Sequence, residues 1–199
     1  MNATEHIVES YFSLCENCFT NVDKKVIGGV NRQFDLLAYN PKSKKQYHVE
    51  TSITHSKSFC VGLDELQPTF AYKFFGIQSQ RVKSNQMVRG QSLDKNLFQQ
   101  ILDTYTDVGF EVENINRVYV KWMFKEHSAR EQVSYEMKNP IDNKPYIITV
   151  MSMRDYIIPK LSDMISTANY DDEIFRVLSL LKEREKQIGA SLTFHKSTS

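Results

Sequence analysis

Residues 32–39 read RQFDLLAY, residues 40–46 read NPKSKKQ and residues 47–54 read YHVETSIT. The outer runs are rich in aliphatic, aromatic and β-branched side chains, and the middle one carries the turn formers Asn40, Pro41 and Ser43, so together they predict a β-hairpin. A loop centred on Lys42 and Ser43 sets an antiparallel register in which partner numbers sum to 85, placing Tyr39 against Gln46, Leu37 against His48, Asp35 against Glu50 and Gln33 against Ser52. Side chains opposed in this way have Cβ atoms about 5 Å apart, and like charges there are destabilising. An Asp35–Glu50 pair therefore needs a shifted register, a solvated face with lysine nearby, or a divalent cation held between two hard oxygen ligands.

Upstream, Ile7, Val8, Tyr11, Phe12 and Cys15 fall on one arc at helical spacing, with Thr4 as the expected N-cap. Glu5 lies at the border of that arc and Glu9 further out. Phe19–Ile27 is β-rich, and Gly28 and Gly29 predict a bend after it. Downstream, Leu93–Tyr105 reads as a helix, Val118–Phe124 and Tyr146–Met151 as strands with Trp122 a core residue, and Asp171–Ile188 as an amphipathic helix. That last helix has Asp171 or Asp172 as N-cap, Ile174, Val177, Leu178 and Leu181 as its stripe, and Gly189 as its stop. Ser152–Thr167 is a further helix that Pro159 should kink or divide. The alternation fits one α/β domain over residues 1–199, with C-terminal helices over about 152–189.

The 199 residues, 41% hydrophobic and 25% charged, suit a single core without staples. Glycine and proline together number 12, so linker-rich and low-complexity readings are excluded. No apolar run approaches the roughly 18 residues of a membrane span. Glu5 and Glu9 stand where a signal peptide would be basic, so a cytoplasmic location is expected. The net charge of +1 means that binding to a polyanion must come from local clusters. Two exist: Lys42, Lys44 and Lys45 in the turn, and Lys73, Arg81, Lys83 and Arg89 within an acid-free stretch from Leu66 to Leu93.

Cys15 and Cys18 form a Cys-x-x-Cys pair, with Cys60 as the third cysteine. A structural zinc would require His48 or His55 to join all three. A redox pair would open a helix, whereas this one ends the first helical pattern, so free thiols are expected. Phosphate-loop, dinucleotide, nucleophile-elbow and His-Glu-x-x-His patterns are missing.

What remains is Asp35, 14 intervening residues, and Glu50-Thr51-Ser52, behind a helix bearing Glu5. In the segments EHIVESYF, GGVNRQFDLLAY and QYHVETS, roughly residues 4–54, the chain resembles the PD-(D/E)xK nuclease superfamily. The resemblance implies a restriction-endonuclease-like three-layer αβα sandwich with a mixed central sheet. It implies a magnesium site, open also to manganese, with Asp35 and Glu50 as ligands and Glu5, or Glu9 in its place, as a supporting acid. Ser52 occupies the position where the family usually has a lysine, and a serine supplies no positive charge. Lys73 reads either as a relocated lysine or as a surface residue, His48 as a structural residue or one that positions water or phosphate, and Gln33 as a neutral neighbour.

The activity implied is magnesium-dependent endonucleolytic hydrolysis of phosphodiester bonds in DNA, with Lys42, Lys44, Lys45, Arg81, Lys83 and Arg89 holding phosphates. The alternatives are a nuclease-fold protein that binds nucleic acid or a partner and no longer cuts, and a subunit whose partner supplies specificity. A homodimer is expected by analogy with two-strand cutting.

Overall fold

In the computed structural model, which describes residues 2–29, 31–53, 60–79, 91–92, 95–125 and 131–196, the chain opens with α1 (Ala3–Leu14). Its cap is Asn2 rather than Thr4. Asn2 Oδ1 accepts from the Thr4 and Glu5 N–H groups, and the Glu5 carboxylate accepts from Asn2 N–H at 2.8 Å, a reciprocal capping box. α1 buries Val8, Tyr11 and Phe12.

β1 (Phe19–Lys25) pairs antiparallel with β2 (Gln33–Tyr39) across a turn in which Gly28 takes φ +68°. β2 pairs antiparallel with β3 (Gln46–Thr51) in the expected register, Leu36 with Val49 through Tyr39 with Gln46. The turn fixes it, because Asn40 Oδ1 accepts from the Lys42 and Ser43 N–H groups and Asn40 N–H returns to Lys45 O. The recorded ladder ends at Leu36–Val49. Gln33 pairs instead with Lys25 of β1.

Next come the two-residue strand β4 (Cys60–Val61), a helical turn at Leu63–Leu66, α2 (Gln67–Phe75), the short antiparallel pair β5 (Gln78–Ser79) and β6 (Gln91–Ser92), and α3 (Lys95–Asp107). β7 (Ile115–Lys121) lies parallel to β3, and beyond Trp122 the chain forms β8 (Met123–Phe124), which pairs with β4. Trp122 is half-buried and packs against the core from this break between strands.

β9 (Gln132–Lys138) and β10 (Pro145–Ser152) form a second hairpin, and β10 lies parallel to β7. A π-type turn at Met153–Ile157 leads into α4 (Ile158–Met164), so Pro159 starts this helix, where a missing N–H costs nothing. α5 (Glu173–Lys196) continues through Gly189 rather than stopping there. Asp172 Oδ1 accepts from Phe175 N–H at its start.

The result is an α/β fold with a mixed six-stranded sheet in the order β1-β2-β3-β7-β10-β9. Alternation along the central strands separates two faces. Tyr47, Val49, Val118 and Val120 pack against α1 and α4. On the other face, Tyr119, Ile148 and Val150 meet Phe70, Phe74 and Phe75 of α2, while Phe34 and Leu37 meet Ile101 and Tyr105 of α3. No described helix is long and apolar enough to cross a membrane.

Candidate active site

The polar residues of β3 face α2 and α3. His48 and Glu50 alternate with Tyr47 and Val49, and their side chains are 0% and 1% exposed. Two ionisable groups buried in an apolar layer must be partnered, and the partners come from three elements. His48 Nε2 lies 2.9 Å from Glu50 Oε1, and His48 Nδ1 lies 2.6 Å from the Tyr105 hydroxyl on α3. Burial, reinforced by Arg117 and Arg32, holds the imidazole well below its usual pKa, so it is neutral. A carboxylate accepts only, which places the ring proton on Nε2 and lets Nδ1 accept from Tyr105.

Asp35 lies where the β2–β3 ladder stops, and its Oδ2 accepts Thr51 N–H at 2.7 Å. Each carboxylate thus has one oxygen held by the fold. The other two converge on one cation: Lys73 Nζ is 2.5 Å from Glu50 Oε2 and 3.6 Å from Asp35 Oδ1. Lys73 is on the last turn of α2, on a helix that buries Phe70, Ala71, Phe74 and Phe75. α2 ends at Gly76, with φ +70°, and the Gly76 and Ile77 N–H groups return to Tyr72 O and Ala71 O. Arg32 donates to the carbonyls of Tyr72 and Lys73 at that terminus, sharing the first with Gly76 N–H, and lies over the Tyr72 ring. Loop and helix end are thereby joined around a cleft of about 420 Å³ lined by Asn31, Arg32, Gln33, Asp35, Tyr72 and Lys73.

The electrostatics follow from crowding. Burial and the neighbouring Glu50 push Asp35 up to about 6, against the opposing pull of Lys73 and Thr51 N–H. Glu50 is raised by burial, with Lys73 opposing. For Lys73, burial alone would lower the pKa, but Glu50 and Asp35 outweigh it and the ammonium is stabilised.

Asp35, Glu50 and Lys73 are therefore brought together, while other expected residues are not. Glu5 is engaged in the capping box of α1, a helix packed on the opposite sheet face, and Glu9 accepts from Thr20 Oγ1 at 2.9 Å. The Ser52 carbonyl accepts from Lys121 Nζ, and its hydroxyl hydrogen-bonds the Tyr119 side chain. Gln33 reaches Asp23 while lining the cleft. Lys42, Lys44 and Lys45 are exposed at the far end of the hairpin, roughly 16 Å along the strands from Glu50 at about 3.3 Å per residue. Arg81, Lys83, Arg89 and His55 lie outside the described residues. Cys15 and Cys18 are free thiols.

Arg32 and Tyr105 escaped the sequence reading. Arg32 adjoins the hairpin and could have been flagged as a cation beside two carboxylates. Tyr105 looks like any aromatic of an amphipathic stripe.

Among the described residues, no group of three or more His, Cys, Asp and Glu side chains converges on a metal position. Two carboxylate oxygens facing a shared cation do fit magnesium, which commonly takes one or two carboxylates and keeps water in its remaining positions. No family model, no curated protein and no solved structure matches this chain.

Proposed function

We propose that Asp35, Glu50 and Lys73 form the active site of a magnesium-dependent nuclease of restriction-endonuclease-like fold, hydrolysing phosphodiester bonds in DNA. The observation that carries this reading is the ammonium of Lys73 at both carboxylates, 2.5 Å from Glu50 and 3.6 Å from Asp35. It supplies from α2 the positive charge that Ser52 lacks.

Asp35 and Glu50 would hold magnesium through Oδ1 and Oε2, the oxygens that otherwise pair with the Lys73 ammonium. When bound, that ion polarises a phosphoryl oxygen and lowers the pKa of its water. His48 and Tyr105 fix the Glu50 carboxylate from behind. Arg32 anchors the end of α2, so Lys73 reaches the cleft with its charge in place to orient a phosphate oxygen or the attacking water. Lys42, Lys44 and Lys45 would meet flanking phosphates only, giving salt-dependent binding without sequence choice. A homodimer or a specificity-giving partner subunit would extend this arrangement to two strands.

A second reading rests on the same ion pair. Lys73 neutralises the carboxylates internally, as suits a nuclease-fold protein that binds nucleic acid or a partner without cutting. Incubation with plasmid, linear duplex and single-stranded DNA, with and without magnesium or manganese, separates the two. The nuclease reading expects metal-dependent cleavage that disappears in Asp35→Ala and Lys73→Ala. Cleavage retained in Asp35→Ala removes this site from the reaction. Salt-sensitive DNA binding without cleavage under either metal favours the second reading.

A further inference from the structure

The cleft beside Asp35 and Lys73 has an aromatic wall that the proposed chemistry leaves unused. Tyr72 lines it from the last turn of α2, next to Lys73, and is 45% exposed. Arg32 Cζ stands 4.9 Å from the ring centroid, over one face. Its Nη2 is held by the Tyr72 and Lys73 carbonyls, so guanidinium and ring brace each other. Among the described residues no other ring or cation lies on Tyr72, which leaves its second face for a planar ligand.

The rest of the lining suits a nucleotide. Arg32 is half-buried, and among the described residues its Nε and Nη1 carry no hydrogen bond and are not sealed from solvent. With Lys73 it sets two cations against the one carboxylate of the lining, Asp35, which already faces Lys73. Asn31 and Gln33 add exposed amides to the same lining, and Gln33, whose Nε2 donates to Asp23, keeps its carbonyl oxygen for a donor. The volume of about 420 Å³ falls in the range that encloses one small ligand, so it takes a single nucleotide and not a duplex.

We propose that this cleft holds one unpaired nucleotide of single-stranded DNA, with its base stacked on Tyr72 and a phosphate at Arg32, an assignment that rests on the nuclease reading of Asp35, Glu50 and Lys73. In a duplex both faces of a base are covered by its neighbours. Bringing one onto Tyr72 would cost its pairing and stacking, and that cost is least for a base already single-stranded. Every base has a π-face, so the ring accepts any of the four and sets little sequence preference. Because Lys73 adjoins Tyr72, a strand seated on the ring carries its neighbouring phosphate to the carboxylates.

The probes are a labelled oligothymidine and the matching duplex, with binding measured by anisotropy in calcium and in EDTA. The single strand should bind about tenfold more tightly than the duplex. Tyr72→Ala should remove about that factor from single-strand binding, while Tyr72→Trp, which keeps a stacking face, should retain it. An oligothymidine carrying 5-iododeoxyuridine should photocrosslink to Tyr72 of the wild-type protein, mapped by mass spectrometry, which gives the answer even if the alanine variant does not fold. Crosslinks only at other residues, a duplex bound as tightly as the single strand, or unchanged affinity in Tyr72→Ala would each overturn the assignment. Cleavage of the same DNA in magnesium, lost in Asp35→Ala, reads the nuclease activity separately. A strand bound on Tyr72 but left uncut keeps the nucleotide subsite and removes the nuclease reading, whereas cleavage unaffected by Tyr72→Ala removes the subsite and keeps the nuclease.

Discussion

Asp35 is the residue on which stability and the proposed function oppose each other. Its pKa of about 6 in the folded protein exceeds the ordinary value of 3.8, because burial and Glu50 both penalise its charge. The folded state therefore holds the Asp35 proton more firmly than the unfolded chain does. This group favours folding most at low pH, and that contribution is lost as the pH rises from about 4 to about 6, then stays lost. Asp35→Asn keeps an acceptor for Thr51 N–H and removes the charge, so it should stabilise the protein by on the order of 2 kcal/mol at pH 7.5. The gain should shrink to near zero at pH 4. Urea melts of both proteins at the two pH values check this, and an equal effect at both would refute the proposed cause. Lys73 carries the opposite expectation. Lys73→Met leaves Glu50 buried without its cation and should cost about 3 kcal/mol. Adding Glu50→Gln should recover part of that loss, so a double-mutant cycle should show a coupling of about 1 kcal/mol or more.

Among the elements, α2 decides whether a lysine reaches the carboxylates at all. Its C-terminus is set by Gly76, and a Cβ there would stand 2.7 Å from Leu97 Cγ while the backbone holds φ +70°. Gly76→Ala should therefore cost about 2 kcal/mol, from left-handed strain together with overpacking. Because the last turn carries Lys73, the proposed nuclease activity should also fall more in this variant than in an equally destabilising change in α5. The contrast between elements explains what the sequence could convey. The Asn40-Pro41 turn sets a register by local bonds, so the Leu37–His48 pairing and the approach of Asp35 to Glu50 were readable from residues 32–54 alone. Lys73 was not, since its meeting with Glu50 depends on where α2 docks, a matter of Phe70 and Phe74 packing across the sheet. β9 was passed over because its alternation of half-buried and exposed residues makes a weak apolar signal at an edge. Glu5 misled because an acid at the third position of a helix serves the backbone N–H groups first.

At the scale of the whole molecule, stability is distributed unevenly between sheet and C-terminus. The strands β2, β3, β7 and β10 are packed on both faces, and α1 and α4 close one of them. α5 rests on that assembly by less. Its buried arc is not the apolar stripe that periodicity suggested, since Val177 and Leu181 are 54% and 49% exposed. Leu178 does pack against the core, while Ser179 binds Ala168 and Lys182 Nζ caps the Ser162 and Ile165 carbonyls at the end of α4. Polar clamps of this kind fix a helix in place but bury little apolar area, which is what resists opening. Amides of α5 should therefore exchange with solvent through a sub-global opening of lower free energy than those of β3 and β7. Native-state hydrogen exchange over a urea series measures the difference directly. Leu178→Ala should increase α5 exchange while leaving β3 protection unchanged. If α5 and β3 amides instead converge on one opening free energy at every urea concentration, the helix is part of the main cooperative unit and its docking on α4 is stronger than its contacts indicate.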